Sequence, residues 1–241
     1  MPSATTTSTT RELRRSTVSS LLLALCRMPK FRRRAVQLAC RIEGGAFFSD
    51  TARQIMRRHF GIEIGAYSYG GCFEPGEFRP PCTIGRYVSV GCDVLVYRRN
   101  HPTNRLSTHP FFFNSRLGYV QHDGMPTYPL EVCHDAWIGS QTVITPGCRR
   151  IGLGSIVGAG AVLVRDVPDF AVVGGVPACV IKMRFSDETC ERIRNSEWWK
   201  LSLNQCLGFL KEMMLPLDGD PICHPLLVGS QTQPERTASA P

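Results

Sequence analysis

In two stretches of the chain an aliphatic residue returns about every six positions. It begins windows at Ile84 and Val90, then at Val132, Ile138 and Ile144, and after one extra residue at Ile151, Val157 and Leu163. Five of these eight windows put Gly second, at Gly85, Gly91, Gly139, Gly152 and Gly158, and the fifth place holds only Val, Ala, Thr, Cys or Ser. Six residues are too many for one strand or one helical turn. They suit a coil of short strands in which each hexapeptide forms a flat face and a tight corner. The aliphatic residue is then expected to point inward, the Gly to make the corner and the small residue to fit the narrow interior. The repeat begins loosely at Ile62 or Ile64 and crosses a Pro-rich stretch at 73–82. The extra residue at Arg149–Arg150 predicts a bulge in the coil. From Val96 to Glu131 the period is lost, and so long an excursion inside a compact domain is usually functional.

The flanks read differently. Residues 49–60 predict a short helix, with Ser49 as its cap and Asp50 in its first turn. Another helix is expected from Asp187, capped by Ser186 and followed by Trp198 and Trp199, with a second over 202–214. The expected organisation is a disordered Ser/Thr-rich stretch at 1–10, a basic helical extension at 11–60 and a coil at 61–183 with an inserted loop at 97–131. C-terminal helices at 184–218 and a mobile tail at 219–241 follow. The fold class is an all-β core with flanking α-helices.

Charge changes this picture at one end. The net charge of +8 is uneven: residues 1–60 hold 12 Lys/Arg and 3 Asp/Glu, and the remainder is nearly neutral. The apolar run SSLLLALC at 19–26 is too short to span a bilayer and is followed by Arg27, Lys30 and Arg32–Arg34, without a small-residue cleavage site. Residues 11–42 therefore have two readings: a basic amphipathic surface lying against the inner face of a membrane, or helices packed on the core with a solvated Arg face. The 11 Cys show no CxxC pair and sit singly, several where a small residue is wanted. Most read as small buried hydrophobes in a reducing, cytoplasmic setting. The basic segment lacks the interleaved aromatics of a single-strand binder, so no nucleic acid is expected as a partner.

The excursion carries the candidate chemistry. It opens YRRNHPTNRLSTHPFFF from Tyr97, with His101 where the chain leaves the coil. A histidine can take a proton from a hydroxyl near neutral pH. It can equally be a loop residue bonded to a backbone carbonyl. His109, His122 and His134 are read the second way.

Seven segments together resemble the hexapeptide-repeat acyltransferases of the xenobiotic acetyltransferase type, which include antibiotic and polysaccharide-locus O-acetyltransferases. They are IGAYSYG (64–70), IGRYVSVG (84–91), NHPTNRLSTHPFF (100–112), HDAWIGSQTVITPG (134–147), IVGAGAVLVRDVP (156–168), VVGGVPACVI (172–181) and RFSDETCERIRNSEWW (184–199). The resemblance implies a left-handed parallel β-helix, a homotrimer with sites at the subunit interfaces, and acetyl-CoA lying between neighbouring coils, with no metal. It implies that His101 is the general base and that a backbone N–H near Gly139 or Ser140 stabilises the oxyanion. Gly139, Ser140, Ala159, Val164, Arg165 and Lys182 would line the coenzyme groove, with Lys182 facing a phosphate. Tyr67, Tyr69 and the 97–120 loop would shape the acceptor pocket, and Asn100 would orient the base or the ligand. Trp137 is either interior packing or a coenzyme wall. Cys179 stands where some relatives have a coenzyme-binding Arg, and the first 48 residues fall outside the antibiotic-type pattern.

The expected activity is thus acetyl transfer to a hydroxyl of a surface-polysaccharide precursor, with an antibiotic hydroxyl as the alternative acceptor. Two other classes use such coils. A zinc lyase of the γ-carbonic anhydrase kind would need His101, His122 and His134 to converge between subunits. A non-catalytic scaffold would need none of the motifs above.

Overall fold

The computed structural model describes residues 12–217 and 224–227. The expected disordered stretch at 1–10, and the tail at 219–241 apart from 224–227, lie outside them. The chain forms two compact units, one from Leu13 to Arg184 and one that takes in Glu12 and the described residues from Phe185 onward.

The first unit is a three-faced coil of short strands. Its first turn holds β1 (Ile62–Ile64) and β2 (Tyr69–Gly70), and its second β3 (Cys82–Ile84), β4 (Ser89–Val90) and β5 (Leu95–Val96). The third holds β6 (Leu130–Val132), β7 (Trp137–Ile138) and β8 (Val143–Ile144), and the fourth β9 (Arg150–Ile151), β10 (Ile156–Val157) and β11 (Val162–Leu163). A hairpin of β12 (Ala171–Gly175) and β13 (Ala178–Met183) closes the stack. Successive turns pair in parallel. β1, β3, β6 and β9 make the first face, β2, β4, β7 and β10 the second, and β5, β8 and β11 the third. β12 extends the second face in parallel, and β13 returns antiparallel to it.

The six-residue pattern is explained by this stacking. Ile84, Val132 and Ile151 are in register on the first face, Val90, Ile138 and Val157 on the second, and Val96, Ile144 and Leu163 on the third. All nine are buried, and each contributes on the order of 1.5–3 kcal/mol. The fifth-place residues, from Val88 to Val167, are buried too. The glycines have a different role from the one expected. The left-handed backbone that turns the corners from the first face to the second and from the second to the third lies at the fourth place, at Tyr67, Tyr87, Asp93, Asp135, Gln141, Gly154 and Gly160. The second-place glycines are needed because the next turn passes too close. A Cβ on Gly85, Gly91 or Gly139 would lie 2.5–2.7 Å from backbone nitrogen of the following turn. The extra residue near Arg149 also does less than expected. It is taken up in the corner before β9, where the Asp166 carboxylate accepts from the N–H groups of Arg149 and Arg150 at 2.6 and 2.9 Å, and strand register is unchanged.

Three helices cap the first turn. α1 (Ser19–Leu25), α2 (Arg32–Ile42) and α3 (Asp50–Ile55) bury Leu22, Cys26, Ala35, Val36, Ala39, Ala52 and Ile55 in the same core as the coil. Ser49 caps α3 by accepting from Ala52 N–H at 3.1 Å. Two buried charges fasten this cap. Burial pushes the Glu43 carboxyl up, but hydrogen bonds from Thr51, Ser49 and Ser16 outweigh it and hold it below the usual range. Arg53 reaches from α3 to the coil. Most cysteines behave as small core residues, whereas Cys92 and Cys179 are exposed.

The corner between the first and second faces holds a titrating carboxyl. Burial lifts Asp135 to about 6, with Arg184 at 3.7 Å drawing it partly back. The folded chain therefore holds this proton more tightly than the unfolded chain, whose aspartate titrates near 3.9. The resulting stability is present below that value and is lost as pH rises through about 6. Urea midpoints at pH 4.5 and pH 7 are expected to show Asp135→Asn gaining on the native chain as pH rises. Parallel midpoints would refute the assignment.

In the second unit α4 (Asp187–Ser196) is capped by Ser186, which accepts from Thr189 N–H at 3.3 Å. The helix expected over 202–214 is two pieces, α5 (Leu203–Leu207) and α6 (Leu210–Met213). Ser202 and Gln205 form a capping box for the first, and the break falls at Gly208 and Phe209, glycine being a poor helix former.

Candidate active site

The excursion leaves the coil after β5 and rejoins it at β6, so it springs from the corner between the third and first faces. Arg98 ties its two ends together. This side chain is buried and donates to the carbonyls of Tyr128 (2.7 Å), Pro129 (2.9 Å) and Cys148 (3.0 Å). Further out, Arg105 donates to the carbonyls of Phe112 and Gly124, and Asp123 accepts from Ser115 and pairs with Arg99 at 3.0 Å. The long loop is thus a braced structure without strands. Nothing in the run Tyr97-Arg-Arg-Asn distinguishes the buried Arg98 from the partly exposed Arg99, so sequence reasoning missed it.

His101 stands three residues beyond that anchor, exposed and edge-on to the buried Phe113 at 5.2 Å. Its Nδ1 lies 2.7 Å from the Thr108 carbonyl. A carbonyl only accepts, so Nδ1 carries the proton and Nε2 has a lone pair free for a hydroxyl proton. The bond to the backbone carbonyl therefore fixes the tautomer of this ring. Asn100 is exposed beside it. Val164 and Arg165 are exposed on the same corner, two turns further along.

Gly139, Ser140 and Ala159 lie elsewhere, on the corner between the second and third faces. There they continue a column begun by Gly91 and Cys92. Adjacent members touch. Cys92 Sγ is 3.4 Å from Ser140 Oγ, and Gly160 N–H donates to Ser140 O at 2.9 Å. Small side chains leave the column shallow, and Trp137, 54% exposed, projects from the adjoining β7. Trp137 is therefore not interior packing. The Gly139 N–H donates to Val157 O at 2.8 Å and cannot serve an oxyanion. The Ser140 N–H has no acceptor among the described residues. The column fits an extended coenzyme arm, because it offers a backbone donor and no bulky side chain in the way. Lys182 is exposed on β13, in the outward row of the second face with Val172, Ile156 and Trp137.

The two tyrosines sit at the remaining corner or next to it. Tyr67 is buried, 4.8 Å from the Tyr87 ring with the Arg86 guanidinium over it, whereas Tyr69 is exposed on β2, 4.4 Å from Phe47. Within one chain they are not brought to His101. Nor are the histidines brought together. His134 lies at the Tyr67 corner with its Nδ1 accepting from Arg86 N–H at 2.9 Å, and His122 is exposed on the loop. Among the described residues no three His, Cys, Asp or Glu side chains are grouped to hold a metal.

No family model matches the chain. It is 31% identical over 162 residues to a chloramphenicol acetyltransferase of Agrobacterium fabrum, a match that spans 57% of this chain and 75% of that protein. The chain belongs to the hexapeptide-repeat acetyltransferases of the xenobiotic type. It is also 34% identical over 95 residues to a galactoside O-acetyltransferase of Escherichia coli, spanning 39% of this chain and 43% of that one. A hexapeptide-repeat acetyltransferase structure from Vibrio cholerae matches with a TM-score of 0.42 and 19% identity, covering 71% of this chain and 95% of that one. Membership makes this protein an acetyltransferase with acetyl-CoA as co-substrate.

Proposed function

We propose that this acetyltransferase moves an acetyl group from acetyl-CoA to a hydroxyl of a sugar, in a surface polysaccharide or its precursor, with His101 as general base. The observation that carries the reading is the bond from His101 Nδ1 to the Thr108 carbonyl at 2.7 Å, which leaves Nε2 aimed outward from a braced loop. Acetyl-CoA supplies an activated acetyl thioester. His101 Nε2 takes the acceptor's proton as its oxygen attacks the thioester carbonyl, and the free Ser140 N–H would steady the developing oxyanion; the C–S bond then breaks and the CoA thiolate leaves, taking the proton back from His101. Gly139, Ser140 and Ala159 offer the coenzyme track, Trp137 its wall, and Arg165 and Lys182 cations for its phosphates.

His101 and this track occupy different corners of one chain, which favours a site built by two subunits. The outward rows favour the same arrangement. The first face shows Glu63, Thr83, Glu131 and Arg150 to solvent. The third face shows Leu95, Val143 and Val162, and the second Tyr69, Ser89, Trp137, Ile156 and Val172, with Lys182 at its end. A coil with one polar and two mainly apolar faces suits a ring of three, each chain using both of the latter. A left-handed coil, as the family has, completes this reading.

The test is calorimetry on the full chain. Acetyl-CoA is expected to bind saturably at one per chain, in native protein and in His101→Ala alike, and absence of binding to either would sink the reading. A hydroxylated antibiotic is the second acceptor reading, favoured by the relative named chloramphenicol acetyltransferase. Acetyl-CoA-dependent turnover of chloramphenicol with none of methyl galactoside would select it.

The N-terminal helices support a peripheral membrane contact. No helix among the described residues is long and apolar enough to cross a membrane. The core-facing side of α1 and α2 is buried, while their outer surface presents Arg27, Arg34 and Arg41 around exposed Leu21, Leu38 and Ile42. Co-sedimentation with phosphatidylglycerol vesicles is expected to fall at least fivefold in Arg34→Glu/Arg41→Glu, since each basic residue near an anionic surface contributes about 1 kcal/mol. Unchanged sedimentation would count against it.

A further inference from the structure

The coenzyme column does not end at Cys92. Beyond it, α2 and the first two turns of the coil flank an open cleft of about 440 Å³, lined by Val36, Gln37, Cys40, Phe73, Glu77 and Cys92 among others. Cys92 belongs to both features, since it lines the cavity and its Sγ is 3.4 Å from Ser140 Oγ. A group carried along Ala159 and Ser140 would therefore arrive at the mouth of this cavity. Its volume lies in the range of small-molecule sites.

Glu77 is the feature that packing does not explain. Its carboxylate accepts from the backbone N–H groups of Val94 and Asp93, but Oε2 is buried and has no donor among the described residues. That oxygen comes close to Gly71, where a Cβ would lie 2.6 Å from it, so only glycine leaves it room. A buried oxygen with an unused lone pair is costly unless something else donates to it. Burial also pushes the Glu77 carboxyl above the ordinary range. Among the described residues the one other acid lining the cavity, Glu74, is paired with Arg33 at 3.0 Å, and no Lys, Arg or His lines it.

We propose that this cavity takes the acceptor, a saccharide-sized molecule bearing hydroxyl or ammonium donors and no negative charge, and that Glu77 Oε2 receives one of its hydrogen bonds. Helix α2, part of the segment that lies outside the antibiotic-type pattern, is then a wall that sets acceptor specificity. The proposal rests on the acetyltransferase reading above, because it needs the second-corner column to deliver the acetyl group.

The test uses full-length native protein, Glu77→Gln, Glu77→Lys and Gln37→Trp. Glutamine keeps an acceptor for the Val94 and Asp93 N–H groups and removes the charge. Position 37 is exposed, so a Trp there is tolerated by the fold while narrowing the mouth. Three probes are offered with acetyl-CoA: methyl galactoside, glucosamine and galacturonic acid. Native protein is expected to acetylate the first two and not the third. Glu77→Gln should raise the KM for methyl galactoside at least tenfold with kcat within threefold. Gln37→Trp should lose both substrates, and Glu77→Lys should exchange glucosamine for galacturonic acid. The acetyl-CoA Kd should not move in any variant, which also reports that each has folded. Should Glu77→Lys fail to fold, the other two variants decide. The proposal is overturned if native protein binds acetyl-CoA but uses none of the three probes, or if Glu77→Gln and Gln37→Trp keep native KM values. Failure of native protein to bind acetyl-CoA would overturn the acetyltransferase reading instead.

Discussion

Replacing His101 by Ala is expected to lower kcat by about 10²–10⁴, the usual contribution of a positioned general base. That corresponds to roughly 3–5 kcal/mol of transition-state stabilisation. The coenzyme's affinity should be unaffected, because Ser140 and Ala159 lie on another corner of the coil. The separation of effects is the diagnostic part. A loop that merely collapsed would disturb acceptor KM and kcat together, whereas loss of the base alone lowers kcat and kcat/KM equally. The bond to Thr108 adds a control. Asn at position 101 can donate to that carbonyl but cannot take a proton, so His101→Asn should be as slow as His101→Ala. Thiol release from acetyl-CoA in a stopped assay measures both variants. A kcat within threefold of native in either would remove His101 from the chemistry.

The second large effect is on stability. Arg53 is buried, and each of its five guanidinium N–H groups meets a carbonyl: Nε that of Gly65, Nη1 those of Ala46 and Ser49, and Nη2 those of Phe47 and Ser68. The residue joins α3, the turn before it and the first turn of the coil, and it lies over the Phe73 ring at 5.2 Å. Burial lowers its pKa to about 10, so it stays charged at neutral pH. Hydrogen bonds to a charged group are each worth about 1.5–3 kcal/mol, and they are not additive when one side chain makes them all. Arg53→Met keeps the packing but leaves five carbonyls without their donor, and a loss of about 3–5 kcal/mol is expected. For a unit of this size that lowers Tm by roughly 10 °C. Lysine should rescue little, since a point charge with three donors cannot span the fork. Thermal melts decide it, and a Tm for Arg53→Met within two degrees of native would show that the cap is held by apolar packing alone.

The parts of this fold that were legible in the sequence are those written as local repetition. The inward aliphatic residues and the small fifth-place residues were readable because each turn of a coil poses the same steric problem, so the answer recurs every six positions. The helix caps at Ser49 and Ser186 were readable because a cap is made within four residues. The role of the glycines was misjudged for a physical reason. A corner can be turned by Tyr67, Asp93 or Asp135 in the left-handed region, but nothing except Gly fits where a later turn's backbone comes within 2.5–2.7 Å. That neighbour is distant in sequence and invisible to a local reading.

The sequence by itself determined that this chain coils, where the coil is interrupted, and that a histidine stands at the interruption in the company of acetyltransferase motifs. Only the tertiary structure decided which corner each residue occupies. It separated His101 from Ser140, released the Ser140 N–H while committing that of Gly139, chose Arg98 over Arg99 as the anchor of the loop, and brought Glu77 beside Gly71 and α2. The physical reason is the same in each case. A six-residue period fixes which side chains point inward, but contacts between turns and with the cap depend on how many residues separate the turns, and the excursion and the Pro-rich stretch make that spacing irregular.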